Sequence, residues 1–217
     1  MRTIKNFLAG GLLAALALIS TACSAGETAA SGDFQAGRDY TEVSSPQKPA
    51  DPKRITVEEF FWYGCPHCYA LEPAIEAWQK TKAADVDFVR VPNTLGRPEG
   101  VIHAKAFYIA QTLGILDKTH RPLFEAIHEK HQPMVTMESI RDLYVATAGI
   151  KPADFDGVVN SFVVDYGMNK GESQARAYLI RSVPNLIIGG KYSVSAGPNA
   201  TKTVDYLIDK IRKDRKS

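Results

Sequence analysis

Two cysteines spaced by two residues, Cys65-Pro66-His67-Cys68, stand where a β-branched and aromatic run gives way to helical spacing, and no other stretch of the chain narrows its fold as much. Ile55-Thr56-Val57-Glu58-Glu59-Phe60-Phe61 reads as a buried strand. Leu71, Ala74, Ile75 and Trp78 then recur on one helix face. Cys65 therefore falls in the first turn of a helix, where unpaired backbone N–H groups and the positive end of the macrodipole favour a thiolate over a thiol. Pro66 suits that turn, because its missing N–H is no loss there and its ring fixes a helix-compatible φ. His67 adds positive charge beside Cys65 whenever it is protonated. Two intervening residues let Cys68 curl back within bonding distance of Cys65, so the pair can cycle between dithiol and disulfide. A thiolate-stabilised Cys65 is a good leaving group, and its disulfide is easily reduced by a substrate.

The same spacing also serves as half of a structural zinc site, which needs four ligands. No second cysteine pair exists to complete one, and His103, His120, His128 and His131 are scattered without ligand spacing. They are expected as surface or partly buried helix residues.

The segment Phe60 to Tyr69 resembles the active-site segment of DsbA-like thiol:disulfide interchange proteins. Ser182-Val183-Pro184-Asn185-Leu186-Ile187-Ile188-Gly189-Gly190 is similar to the loop and strand that carry the cis-proline of the thioredoxin superfamily. The likeness covers roughly residues 40 to 215, with a long helical stretch between the two motifs. It implies an α/β thioredoxin-like fold over 40–92 and 182–217, with a helical domain, 93–181, inserted between the βαβ half and the ββα half. It also implies that Pro184 is cis and faces Cys65, and that the backbone of Val183 pairs with an extended substrate segment. Glu59 is then a buried acid beneath the site that exchanges a proton with Cys68; from pattern alone it is equally a rim carboxylate. The partners implied are exported proteins with free thiols and a DsbB-like membrane reoxidant, and no cofactor is called for. Trp62, Tyr63 and Tyr69 are expected as an apolar rim or as packing.

Met1 to Ala22 has a basic start, an apolar run from Phe7 to Ile19 and small residues before Cys23, the layout of a bacterial export signal. Ile19-Ser20-Thr21-Ala22-Cys23 resembles a lipobox, which makes Cys23 a candidate for lipidation and membrane attachment. Either processing route leads to an oxidising compartment, the periplasm. With Cys23 modified or removed, only the Cys65–Cys68 pair remains, and no structural disulfide is available to be scrambled. Residues 23–39 are small and polar, as in a flexible tether. The net charge of +2 resides in Arg2 and Lys5, and the rest of the chain balances 24 basic against 24 acidic residues, which argues against a nucleic-acid partner.

Tyr40 to Val43 is expected as a short strand, and Val86 to Val91 as the strand that completes a right-handed crossover. Pro73 is expected to bend the first helix without ending it. From about Glu99 to Arg181 apolar residues recur at helical spacing, among them Phe155, Val159, Phe162 and Val163, with Gly114, Pro133, Gly149 and Gly167 as punctuation. Leu186 to Val194 reads as a hairpin turning at Gly189-Gly190, and a closing helix starts near Asn199 or Thr201. The sum of these features is a monomeric, exported protein thiol oxidant. A reductase or isomerase is the nearest rival, a peptide-binding chaperone the next, and a zinc module the third.

Overall fold

The computed structural model describes residues 34–216. The expected signal peptide, Cys23 and most of the tether lie outside the described residues. Five strands form one sheet in the order β1-β5-β4-β2-β3: β1 (Thr41–Glu42), β2 (Ile55–Phe61), β3 (Val86–Pro92), β4 (Asn185–Ile188) and β5 (Tyr192–Ser195). β2 lies parallel to β3 and antiparallel to β4, which makes it the central strand and explains why its hydrophobic run is almost unbroken. The β2–β3 register sets Glu59 opposite Arg90.

Helix α1 (Pro66–Thr81) follows β2 and continues through Pro73. Between β3 and β4 come α2 (Pro98–Thr112), α3 (Leu116–His128), α4 (Met137–Ala148), α5 (Pro152–Val158) and α6 (Phe162–Ala177); α7 (Ala200–Asp214) closes the chain. One face of the sheet packs Ile55, Val57, Leu186 and Ile188 against Leu71 and Ile75 of α1 and Val204, Leu207, Ile208 and Ile211 of α7. The opposite face packs Phe60, Val91 and Ile187 against Ala175 of α6. A third core, around Phe61, Tyr63, Phe107, Phe124, Tyr144 and Phe155, joins the helices to the end of β2 that carries the cysteines.

Three sequence expectations need correction here. Gly167 is not punctuation: it lies inside α6, and a Cβ there would stand 2.5 Å from the ring of Tyr108, so glycine is what allows α2 and α6 to approach. Phe162 and Val163 are not core, with 80% and 59% of their surface exposed. Ser161 caps α6 by accepting from the N–H of Val164, and this start point turns the first two helical residues outward and Val164 inward. Phe34 to Asp39 are not tether, since the N–H of Gly37 donates to the carbonyl of Tyr40 and the Phe34 ring packs 5.3 Å from that of Tyr206.

Replacement of Gly167 by valine should therefore destabilise the protein by about 1–3 kcal/mol through overpacking against Tyr108. Thermal or denaturant unfolding measures this, and an unchanged midpoint would show that the α2–α6 approach tolerates a side chain.

Candidate active site

Cys65 is the N-cap of α1, with extended backbone angles (φ −91°, ψ 116°), Pro66 in the first turn and no acidic residue in that turn. Its N–H donates to the carbonyl of Trp62 at 2.9 Å and its carbonyl accepts from the N–H of Tyr69 at 3.1 Å, so the backbone on both sides of the sulfur is fixed. Gly64 is required because Trp62 folds back over this turn, its ring 2.4 Å from where a Cβ would sit. The guanidinium of Arg97 covers the outer side of that ring at 5.4 Å.

Cys65 and Cys68 are both free thiols, but their surroundings differ. The hydrogen bond from Cys68 is the largest influence on Cys65; burial opposes it, and the backbone N–H groups of Cys68 and His67 and the charge of His67 then add to it. Together they lower the Cys65 thiol to about 6. Cys68 has no exposed surface, and burial first, then its bond to Cys65, pushes its thiol far above the usual range. One turn of helix thus separates a thiol that ionises easily from one that keeps its proton.

The Val183–Pro184 peptide bond is cis, and the carbonyl of Val183 lies 3.5 Å from Cys65 Sγ. Val183, on the loop that enters β4, thus reaches Cys65 from 118 residues away and brings Pro184 to the site with it.

Glu59 is fully buried, which removes the rim alternative. Burial, then the neighbouring Glu72 carboxylate, raise its carboxyl to about 8, against the opposing charge of Arg90. Arg90 Nε stands 3.2 Å from Glu59 Oε2, an ion-pair distance without hydrogen-bond alignment, and neither oxygen of Glu59 has a hydrogen-bond partner. Arg90 Nη2 donates to Glu72 Oε2 at 2.8 Å, and His120 Nε2 lies 3.2 Å from Glu72 Oε1.

Tyr63 belongs to the core and not to a rim: it has no exposed surface, and its hydroxyl lies 2.7 Å from His120 Nδ1. Tyr69 is partly buried, stacks on His128 at 5.0 Å and donates to Glu129. His103 and His120 are buried, contrary to the sequence expectation. Sequence reasoning missed Glu72, Arg90 and His120. The one signal available was Glu72, an acid on the otherwise apolar face of α1.

A thioredoxin-like sheet that presents such an unequal dithiol to a cis-proline loop defines a thiol:disulfide oxidoreductase. Residues 102–209 match the family described as DSBA-like thioredoxin domain. The chain is 38% identical to the thiol:disulfide interchange protein DsbA of Pseudomonas aeruginosa, over 90% of this chain and 94% of that protein. It is 35% identical to DsbA of Burkholderia cepacia, over 90% of this chain and 94% of that protein. The crystal structure of P. aeruginosa DsbA superposes with a TM-score of 0.78 at 39% identity, covering 85% of this chain and 98% of that one. DsbA from Xylella fastidiosa gives a TM-score of 0.74 at 29% identity, over 85% of this chain and 99% of that one. The chain belongs to the DsbA family of thiol:disulfide interchange proteins.

Absorbance at 240 nm, which reports thiolate, should rise in the reduced protein with a single midpoint near pH 6, and Cys65→Ser should abolish it. A midpoint in the ordinary alkaline thiol range would contradict the site electrostatics.

Proposed function

We propose that this chain is an exported donor of disulfides in which Cys65 is the sulfur attacked by substrate. A substrate thiolate adds to Cys65 Sγ, the Cys65–Cys68 bond breaks, and its electron pair departs on Cys68. Burial makes a Cys68 anion unfavourable, so a proton must arrive as the bond breaks. Glu59 is the donor of that proton, since its carboxyl, raised to about 8, still carries one at neutral pH. The second substrate thiolate then attacks the substrate sulfur of the mixed disulfide and expels Cys65 as a thiolate. The substrate leaves with one new disulfide, and the protein holds the two electrons as a dithiol.

The opposite displacement of the two thiols carries this reading: the sulfur that must depart last is a good anion, and the one that departs first is buried beside a proton source. Pro66 and His67 set the start of α1 around Cys65. The backbone of Val183, ahead of Pro184, pairs with an extended stretch of substrate, which gives weak, sequence-tolerant binding. The export signal supports a periplasmic location, and Cys23 supports attachment to a membrane through lipid. A DsbB-like membrane protein restores the disulfide, and the chain acts as a monomer.

Oxidised protein mixed with an equimolar reduced two-cysteine peptide should become fully reduced as the peptide closes its disulfide, as read by mass spectrometry after acid quench. A peptide that stays reduced would point instead to a reductase. At fixed substrate-thiolate concentration the first step should slow as pH rises through about 8, because Glu59 then loses the proton it delivers. Glu59→Gln should slow that step roughly 10–100-fold at neutral pH and remove the decline. Identical rates and profiles in the two proteins would take Glu59 out of the mechanism.

A further inference from the structure

Glu72, Arg90 and His120 have no part in the exchange steps above, yet all three are largely or wholly withdrawn from solvent and joined to one another. Glu72 has one oxygen on Arg90 and the other on His120, whereas Glu59 has no aligned donor on either oxygen. An ionised carboxylate only accepts hydrogen bonds, so His120 must carry its proton on Nε2 to meet Glu72. A neutral imidazole then has an acceptor at Nδ1, and the hydroxyl of Tyr63 donates to it. His128 Nε2 in turn donates to the carbonyl of Tyr63 at 2.7 Å, two residues before Cys65.

Two carboxylates and one guanidinium leave a buried excess of one negative charge unless a proton is shared between the acids, and burial strongly favours the neutral arrangement. The proton rests on whichever carboxylate is less well served by donors. We propose that His120 is a positioning residue of the redox site: by donating to Glu72 it decides that the shared proton sits on Glu59, and through Tyr63 it ties this carboxylate pair to the turn that carries Cys65. The charge states agree with that geometry. Glu72 is lowered, its burial outweighed by the His120 and Arg90 contacts, while burial lowers His120 itself and keeps it neutral. Charged or titratable groups facing His120 are Glu72 and Glu76 from α1, Arg90 from β3 and Tyr63 from the turn after β2.

The inference rests on the role given to Glu59, but its test reads the position of the proton directly. Carboxyl titration in 13C-glutamate-labelled, reduced full-length protein should give Glu59 a higher midpoint than Glu72. His120→Phe, which removes the donor to Glu72, should lower the Glu59 midpoint by about one pH unit or more. The decline of the first exchange step should move to lower pH with it. His120→Gln, which restores a donor at the Nε2 position, should keep both near wild type. If His120→Phe loses thermal stability while the Glu59 midpoint stays in place, or if the Gln and Phe variants shift it equally, the inference is overturned. Should the Phe variant not fold, imidazole 15N shifts of the wild-type protein decide: a neutral, Nε2-protonated ring through the neutral range supports the inference, and a protonated or Nδ1–H ring overturns it. A shifted Glu59 midpoint without any change in exchange rate would preserve the placement of the proton and remove only the catalytic role of Glu59.

Discussion

Everything at this site depends on a sulfur anion held at the amino end of α1. Cys65 occupies the N-cap position without a side-chain cap hydrogen bond, and the backbone N–H groups of His67 and Cys68 in the first turn help lower its thiol. The difference between an ordinary thiol at 9.0 and one at about 6 corresponds to about 4 kcal/mol before solvent screening, and to less after it. That energy favours the dithiol form of the protein, because the disulfide form contains no thiolate to stabilise. As pH falls through about 6 the thiolate protonates and the advantage is lost.

The sheet supplies the rigidity that this chemistry needs. β2 is paired on both sides, so its end cannot drift, and the Trp62–Gly64 turn hands the chain to α1 with one geometry. The same β2–β3 register that buries Phe60 and Val91 also sets Arg90 beside Glu59. A single cation then serves two buried acids, an arrangement that is costly unless one acid remains protonated. The energetic cost of burying Glu59 is thereby what keeps a proton on its carboxyl at neutral pH.

The parts legible in the sequence were those with local signatures. β2, the α1 start at Pro66, the Gly189-Gly190 hairpin and the inward face of α7 each follow from residue pattern within a few turns or one strand. The site pair was recognisable from its motif and spacing, and the proline loop from its resemblance to the cis-proline loop of the thioredoxin superfamily. What could not be read depends on contacts distant in sequence. His120 meets Glu72 across 48 residues and Tyr63 across 57, and nothing in α3 itself marks that histidine as different from His128 or His131. Gly167 looked like a break because a mid-helix glycine usually costs stability, whereas the Tyr108 ring occupies the space that its side chain would need. Phe162 and Val163 looked like core because periodicity locates a stripe without saying where the cap places it.

The most direct test of the central claim is the redox equilibrium of the Cys65–Cys68 pair with glutathione, followed across pH. A stabilised Cys65 thiolate predicts a disulfide reduced by glutathione far more readily than a structural one, with the preference shrinking as pH falls through about 6. A pair that stays oxidised in millimolar glutathione, or whose equilibrium shows no inflection attributable to Cys65, would contradict it.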